Sequence, residues 1–155
     1  MYEIGDKIVY AIHGAGTIVD IQEIDILGNV ENYYILKLPI NDIQVSIPES
    51  ELDSSKIRPV ISKEEGEEVL KILREDKTAM PDNWGKRYRG NLEQLKTGDI
   101  FETAEIVRNL TLLNEEKTLS ASEKKMLNNA KRIMVSELLI AETISREEAE
   151  KWIKI

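Results

Sequence analysis

From Ile4 to Ile47 apolar and polar positions alternate in short runs, KIVYAI, TIVDIQEIDI, YYILKLP and IQVSIP, interrupted by HGAG and LGN. Runs rich in Ile, Val and Tyr with a period of two are strand sequence, because successive side chains point to opposite faces, and the glycine and asparagine breaks mark turns. The pattern predicts four or five strands folded as a small antiparallel barrel or a strongly bent sheet. His13 to Gly16 supplies two glycines for a tight turn or a close backbone approach, and Gly28-Asn29 suits a hairpin turn with positive φ.

After Arg58-Pro59 the period changes to 3.6, which places a domain boundary there and divides the chain into residues 1–60 and 61–155. Capping-box patterns open three helical stretches: Ser62 with Glu65, Ser120 with Glu123, and Ser145 with Glu148. Between the first two, Asp82 or Asn83 caps a helix through about Leu95, Gly98 ends it, and Asp99 starts another through about Leu113. The second half is therefore expected to be an all-helical bundle of four or five helices, and the whole chain α+β in two domains. Trp152 either closes that bundle or lies in a contact between copies.

Charge changes this picture more than composition does. The 155 residues carry a net charge of -8, with 4 basic and 10 acidic side chains in residues 1–61 and 17 and 19 in residues 62–155. So acidic a chain does not bind nucleic acid tightly by itself, since neutralising phosphates is the main source of non-specific affinity, and any such contact must be local. The absence of cysteine excludes disulfides and thiolate chemistry, and a single histidine, His13, leaves no His-type metal site. No nucleophile with a base and no placed carboxylate pair is visible, so neither catalysis nor a cofactor is expected. No apolar run approaches the roughly 18 to 20 residues that span a bilayer, and the opening MYEIGDK enters strand sequence directly, which predicts a soluble, cytoplasmic protein.

The local contact can be placed. In residues 84–96, Lys86, Arg87, Arg89 and Lys96 face Glu93 alone, a reversal of the overall sign. Trp84 falls in the first turn of its helix, where free backbone N–H groups and the helix dipole favour an anion such as phosphate. A tryptophan followed by Lys86, Arg87 and Arg89 resembles a wedge with phosphate clamps, its ring entering a base step from the minor groove. The alternative is a core tryptophan with solvated cations around it. On the helix from Ser120, Lys124, Lys125, Asn128, Lys131 and Arg132 share an arc of about 120°, a face that either extends a DNA-backbone track or is simply solvated. Glu137 falls in the opposite, apolar arc, where only an ion pair with a neighbouring helix would account for it. In the first half, the uncharged run Ile43, Gln44, Val45, Ser46 and Ile47 is either an edge strand able to pair with a partner's sheet or an internal strand.

Four blocks in order, GDKIVYAIHGAGTI, YYILKLPINDIQVSIP, NWGKRYRGNLEQLKTGD and SASEKKMLNNAKRIMVSELLIAE, are similar to the CarD/CdnL family of bacterial RNA polymerase-binding transcription regulators. The resemblance covers nearly the whole chain. It implies a Tudor-like polymerase-interacting domain followed by a helical domain that touches promoter DNA without reading its sequence. Trp84 would be the wedge at the upstream edge of the transcription bubble, with Lys86, Arg87 and Arg89 its basic neighbours. The strand at 43–47 would lie at the contact with a lobe of the polymerase β subunit; arginines that some members use there correspond to Ile24 and Ser46. No small-molecule substrate and no membrane are implied. Without the resemblance, an RNA-binding or adaptor module built on a small barrel would compete with this reading.

Overall fold

The alternating runs become β1 (Lys7–Tyr10), β2 (Gly14–Ile26), β3 (Asn29–Lys37), β4 (Gln44–Pro48) and β5 (Ile57–Pro59) in the computed structural model, which describes residues 2–40, 42–54 and 56–154. They form one antiparallel sheet in the order β4-β3-β2-β1-β5. β4 and β5 are its opposite edges, so the sheet is open and not the closed barrel that was one of the two expected forms. Closure would need two edge strands long enough to pair, whereas β5 has three residues and ends in Pro59, and β2 and β3 run on as a long hairpin. A bulge between Ile18 and Asp20 bends that hairpin. The pairing Ile26↔Asn29 makes Leu27 and Gly28 the two turn residues, with φ of 53° and 84°, one position earlier than the glycine-asparagine pair suggested.

One face of the sheet buries Ile8, Ile18, Tyr34, Leu36 and Ile47 in a core of its own. The register places Asp20, Gln22, Ile24, Tyr33, Ile35 and Ser46 together on the other face.

The helices are α1 (Lys63–Arg74), α2 (Trp84–Leu95), α3 (Ile100–Glu116), α4 (Ala121–Ile140) and α5 (Arg146–Lys154). Ser62–Glu65 and Ser120–Glu123 are complete capping boxes, and Ser145 and Glu148 exchange the same pair of bonds at 3.1 Å each. Asn83 and Asp99 cap α2 and α3. Val69, Ile106, Leu110, Met134 and Leu138 centre the helical core, and Trp152 packs against it from α5.

Polar ties and a close backbone approach join sheet to helices. Glu137, 2% exposed, receives Arg58 of β5 through both carboxylate oxygens, Nη1 to Oε2 at 2.7 Å and Nη2 to Oε1 at 2.6 Å, and also accepts from the Ile61 N–H at 3.0 Å. Its partner thus comes from a strand and not from a neighbouring helix. Arg58 Nε donates to the Gly98 carbonyl at 3.0 Å, so one guanidinium binds β5, α4 and the α2–α3 turn together. The Ala15 N–H donates to Ser136 Oγ at 2.9 Å. Gly14, at φ 114°, lets this happen: a Cβ there would lie 2.5 Å from Ser136 Oγ. Of the two glycines of the first turn, Gly14 serves this approach to α4, and Gly16 one to β3, where a Cβ would lie 2.5 Å from the Lys37 carbonyl oxygen. His13, exposed, meets the Tyr10 ring edge to face at 5.2 Å.

Candidate nucleic-acid interface

Asn83 closes the start of α2 by accepting the Lys86 N–H at 3.0 Å, which leaves Trp84 as the first helical residue. The first turn itself holds no acidic side chain to offset the positive end of the helix dipole. Trp84 is 54% exposed, whereas Tyr88 and Leu95 of the same helix pack against the helical core. Lys86 and Arg89 are exposed, and neither has an ion pair among the described residues.

Arg87 departs from the expected set of clamps. It is buried at 6% exposure, and its Nε and Nη2 donate to Glu123 Oε2 and Oε1 at 2.6 and 2.9 Å. Its Nη1 donates to the Pro81 and Asp82 carbonyls, both at 3.2 Å. Facing the interior, the guanidinium holds the segment before Trp84 and fastens the start of α2 to the start of α4. Glu123, 0% exposed, is at once this acceptor and the third residue of the α4 capping box. Burial alone would raise its carboxyl; hydrogen bonds from Arg87 and Ser120, with the Arg87 charge, outweigh that and hold it below the ordinary carboxylate value. The bond to Glu123 in turn raises the Arg87 guanidinium. The sequence signal for this pair was faint: a capping glutamate and a basic residue in a basic run each have a simpler reading.

The basic face of α4 is split by its neighbours. Lys125 lines a cleft shared with α2, while Lys124 and Lys131 line a groove facing Thr111, Asn114 and Glu115 of α3. Lys131 is half-buried, and desolvation lowers its ammonium pKa, whereas Lys124, Lys125 and Arg132 are exposed. Lys86 and Arg89 are exposed cations of α2, and Lys125 is the exposed cation of the cleft between α2 and α4; Lys124 and Lys131 belong to a second patch.

On the sheet, β4 pairs with β3 on one side and with no strand on the other among the described residues. Gln44 and Ser46 are exposed, as is Ile43 just before the strand. Val45 is half-buried and Ile47 wholly so, both against the sheet core, so Ile47 offers a partner only its backbone. Uncharged throughout, β4 lacks the charge that usually protects an edge, whereas β5 carries Arg58; both strands end in a proline, Pro48 and Pro59. Ile24 and Ser46, separated by β3, lie on the same outer face.

Two known domains account for almost the whole chain. A CarD-like/TRCF RID domain matches residues 2–61 and the C-terminal domain of CarD matches residues 68–154. The chain belongs to the CarD family and is a CarD-like transcription regulator. Among its relatives is a Bacillus subtilis (strain 168) protein named "Putative transcription factor YdeB", 39% identical over 152 residues, an alignment covering 98% of this chain and 99% of that protein. No helix among the described residues is long and apolar enough to cross a membrane.

Proposed function

We propose that the chain binds RNA polymerase at its β subunit through the free edge of β4 and the outer sheet face carrying Ile24 and Ser46, and stabilises the open promoter complex with Trp84. In this reading residues 1–60 dock and residues 61–155 touch DNA. The observation that carries it is an indole 54% exposed at the positive end of a helix that also carries the exposed Lys86 and Arg89, its start fastened to α4 by the Arg87–Glu123 pair. A ring presented in this way can enter the minor groove at the upstream edge of a bubble while the two cations meet flanking phosphates. Lys125, and further off Lys124, Lys131 and Arg132, add backbone contacts that read no sequence.

The energetics suit a tethered module. Unstacking a base step costs on the order of a few kcal/mol, and a wedge that binds only the opened junction shifts the equilibrium by its differential affinity. Docking on polymerase raises the effective concentration of DNA enough to offset the unfavourable net charge of -8. The protein acts as a regulator and not as an enzyme, and sits on the nucleoid only through polymerase. The test compares wild type and Trp84→Ala in a polymerase pull-down and in open-complex lifetimes. Trp84→Ala is expected to keep polymerase and lose the lengthened lifetime; equal lifetimes would sink the wedge.

A further inference from the structure

One helical turn beyond Trp84, the same stripe of α2 enters a cleft of about 420 Å3 between α2 and α4, within the roughly 300–1,000 Å3 typical of ligand pockets. Tyr88 and Leu92 of α2 face Met126 and Ile133 of α4 across it, and the Arg58–Glu137 pair also lines it. That pair neutralises itself, which leaves the exposed Lys125 ammonium as the unpaired charge of the lining among the described residues. The half-buried Tyr88 hydroxyl, the exposed Ser122 hydroxyl and the exposed Asn129 side-chain amide have no protein hydrogen-bond partner among the described residues and are free to meet a ligand.

This combination discriminates between ligand classes. A bare phosphate would answer Lys125 but leave the apolar walls in water. A fatty acid would cover the walls and set its carboxylate on Lys125, but would offer nothing to the edge groups Tyr88, Ser122 and Asn129. A flat heteroaromatic ring with a hydrogen-bonding edge and an attached phosphate meets all of them: ring against Tyr88 and the apolar walls, edge toward Asn129 and Ser122, phosphate on Lys125. We propose that this cleft binds a nucleotide. It can come from solution as a free nucleotide or, resting on the wedge reading, from the strand that Trp84 unstacks, because the cleft begins on the same helix one turn away.

The two sources are separable by methyl NMR of the full chain, following Met126, Ile133 and Met134. The probes are thymidine 5′-monophosphate, thymidine, inorganic phosphate, and a forked duplex with or without an abasic site in its unpaired arm. Movement of these methyls by the monophosphate upholds the proposal with a soluble ligand; movement by the intact fork alone, lost in the abasic fork, upholds it with the displaced strand. Phosphate alone is expected to leave them in place. Lys125→Ala, an exposed change that keeps the fold, is expected to weaken either effect roughly tenfold, as loss of one charge-assisted contact does. The proposal is overturned if neither ligand moves the methyls, or if thymidine and the monophosphate act equally and Lys125→Ala changes nothing. Failure here with a shortened open-complex lifetime for Trp84→Ala would remove the cleft and leave the wedge standing.

Discussion

Replacing Arg87 by alanine separates a residue that faces DNA from one that holds the protein together. In the folded chain its guanidinium meets both oxygens of Glu123, at 2.6 and 2.9 Å, in a site where Arg87 is 6% and Glu123 0% exposed. Arg87→Ala leaves that carboxylate with the Ser120 hydroxyl and backbone N–H as its donors among the described residues, and breaking a buried pair from one side costs about 3–5 kcal/mol. With a urea m-value of about 2 kcal/mol/M, the unfolding midpoint falls by roughly 2 M. Arg89→Ala, on the exposed side of the same helix, stays within about 0.5 kcal/mol of wild type. Removing both partners, Arg87→Met with Glu123→Leu, restores all but about 1 kcal/mol, the remainder being the lost capping box. Acid gives an independent check. Because the Glu123 carboxyl lies lower folded than unfolded, its stabilisation is complete above the ordinary carboxylate range and disappears as pH falls to the depressed value, so the double variant loses less stability in acid. An Arg87→Ala midpoint matching that of Arg89→Ala would refute the buried-pair assignment and return Arg87 to the DNA-facing set.

Other consequences are more quickly stated. Arg58→Ala leaves the buried Glu137 carboxylate with the Ile61 N–H as its donor among the described residues, and calorimetry is expected to show two unfolding transitions for the variant against one for wild type as sheet and helices lose their joint. Ser136→Ala removes the acceptor of the Ala15 N–H, a loss of about 1–3 kcal/mol in chemical denaturation. The Tyr10 hydroxyl, donating to Glu51 at 2.6 Å, is pushed up to about 12, so one tyrosine should ionise last in an ultraviolet titration. That contribution to stability is full below the ordinary phenol range and lost as pH rises toward about 12, and Tyr10→Phe should remove it. Ile24→Arg with Ser46→Arg, two cations on one outer face, should strengthen retention of polymerase in a salt-dependent manner if the sheet docks as proposed.

How far such features could be read from the chain depended on how local their causes are. Caps and periods are local: Ser62, Asn83, Asp99 and Ser120 each satisfy their own helix within three residues, and all stand where the pattern put them. The hairpin turn slipped by one residue because the register, set along the whole of β2 and β3, pushed Leu27 into positive φ and kept Asn29 in the strand. Closure of the sheet was not legible, since it depends on whether two distant edges meet. The same limit governs the side chains. Trp84 shows its exposure only once the helical core is seen to be filled by other residues. Arg87 looked like its basic neighbours because its partner lies 36 residues away, and Glu137 declared itself as an anomaly whose partner, 79 residues away, no helical pattern could name.

Those long-range pairs bear directly on how a tethered regulator would work. Two weak contacts reinforce each other in proportion to the effective concentration that one creates for the other, and a flexible joint spreads that concentration over many useless orientations. Here the joint is made of Arg58 bridging β5, α4 and Gly98, the Ala15 N–H on Ser136, and Arg146 Nη2 on the Pro39 carbonyl at 2.7 Å. Such a joint sets the angle between the β4 edge and Trp84 before either meets a partner. Arg58→Ala should therefore leave polymerase capture by the sheet near wild type while shortening open-complex lifetimes toward those of Trp84→Ala, although it touches neither contact. If capture and lifetime instead fell together, or lifetime stayed at the wild-type value, rigidity at this joint would have no part in the regulator's action.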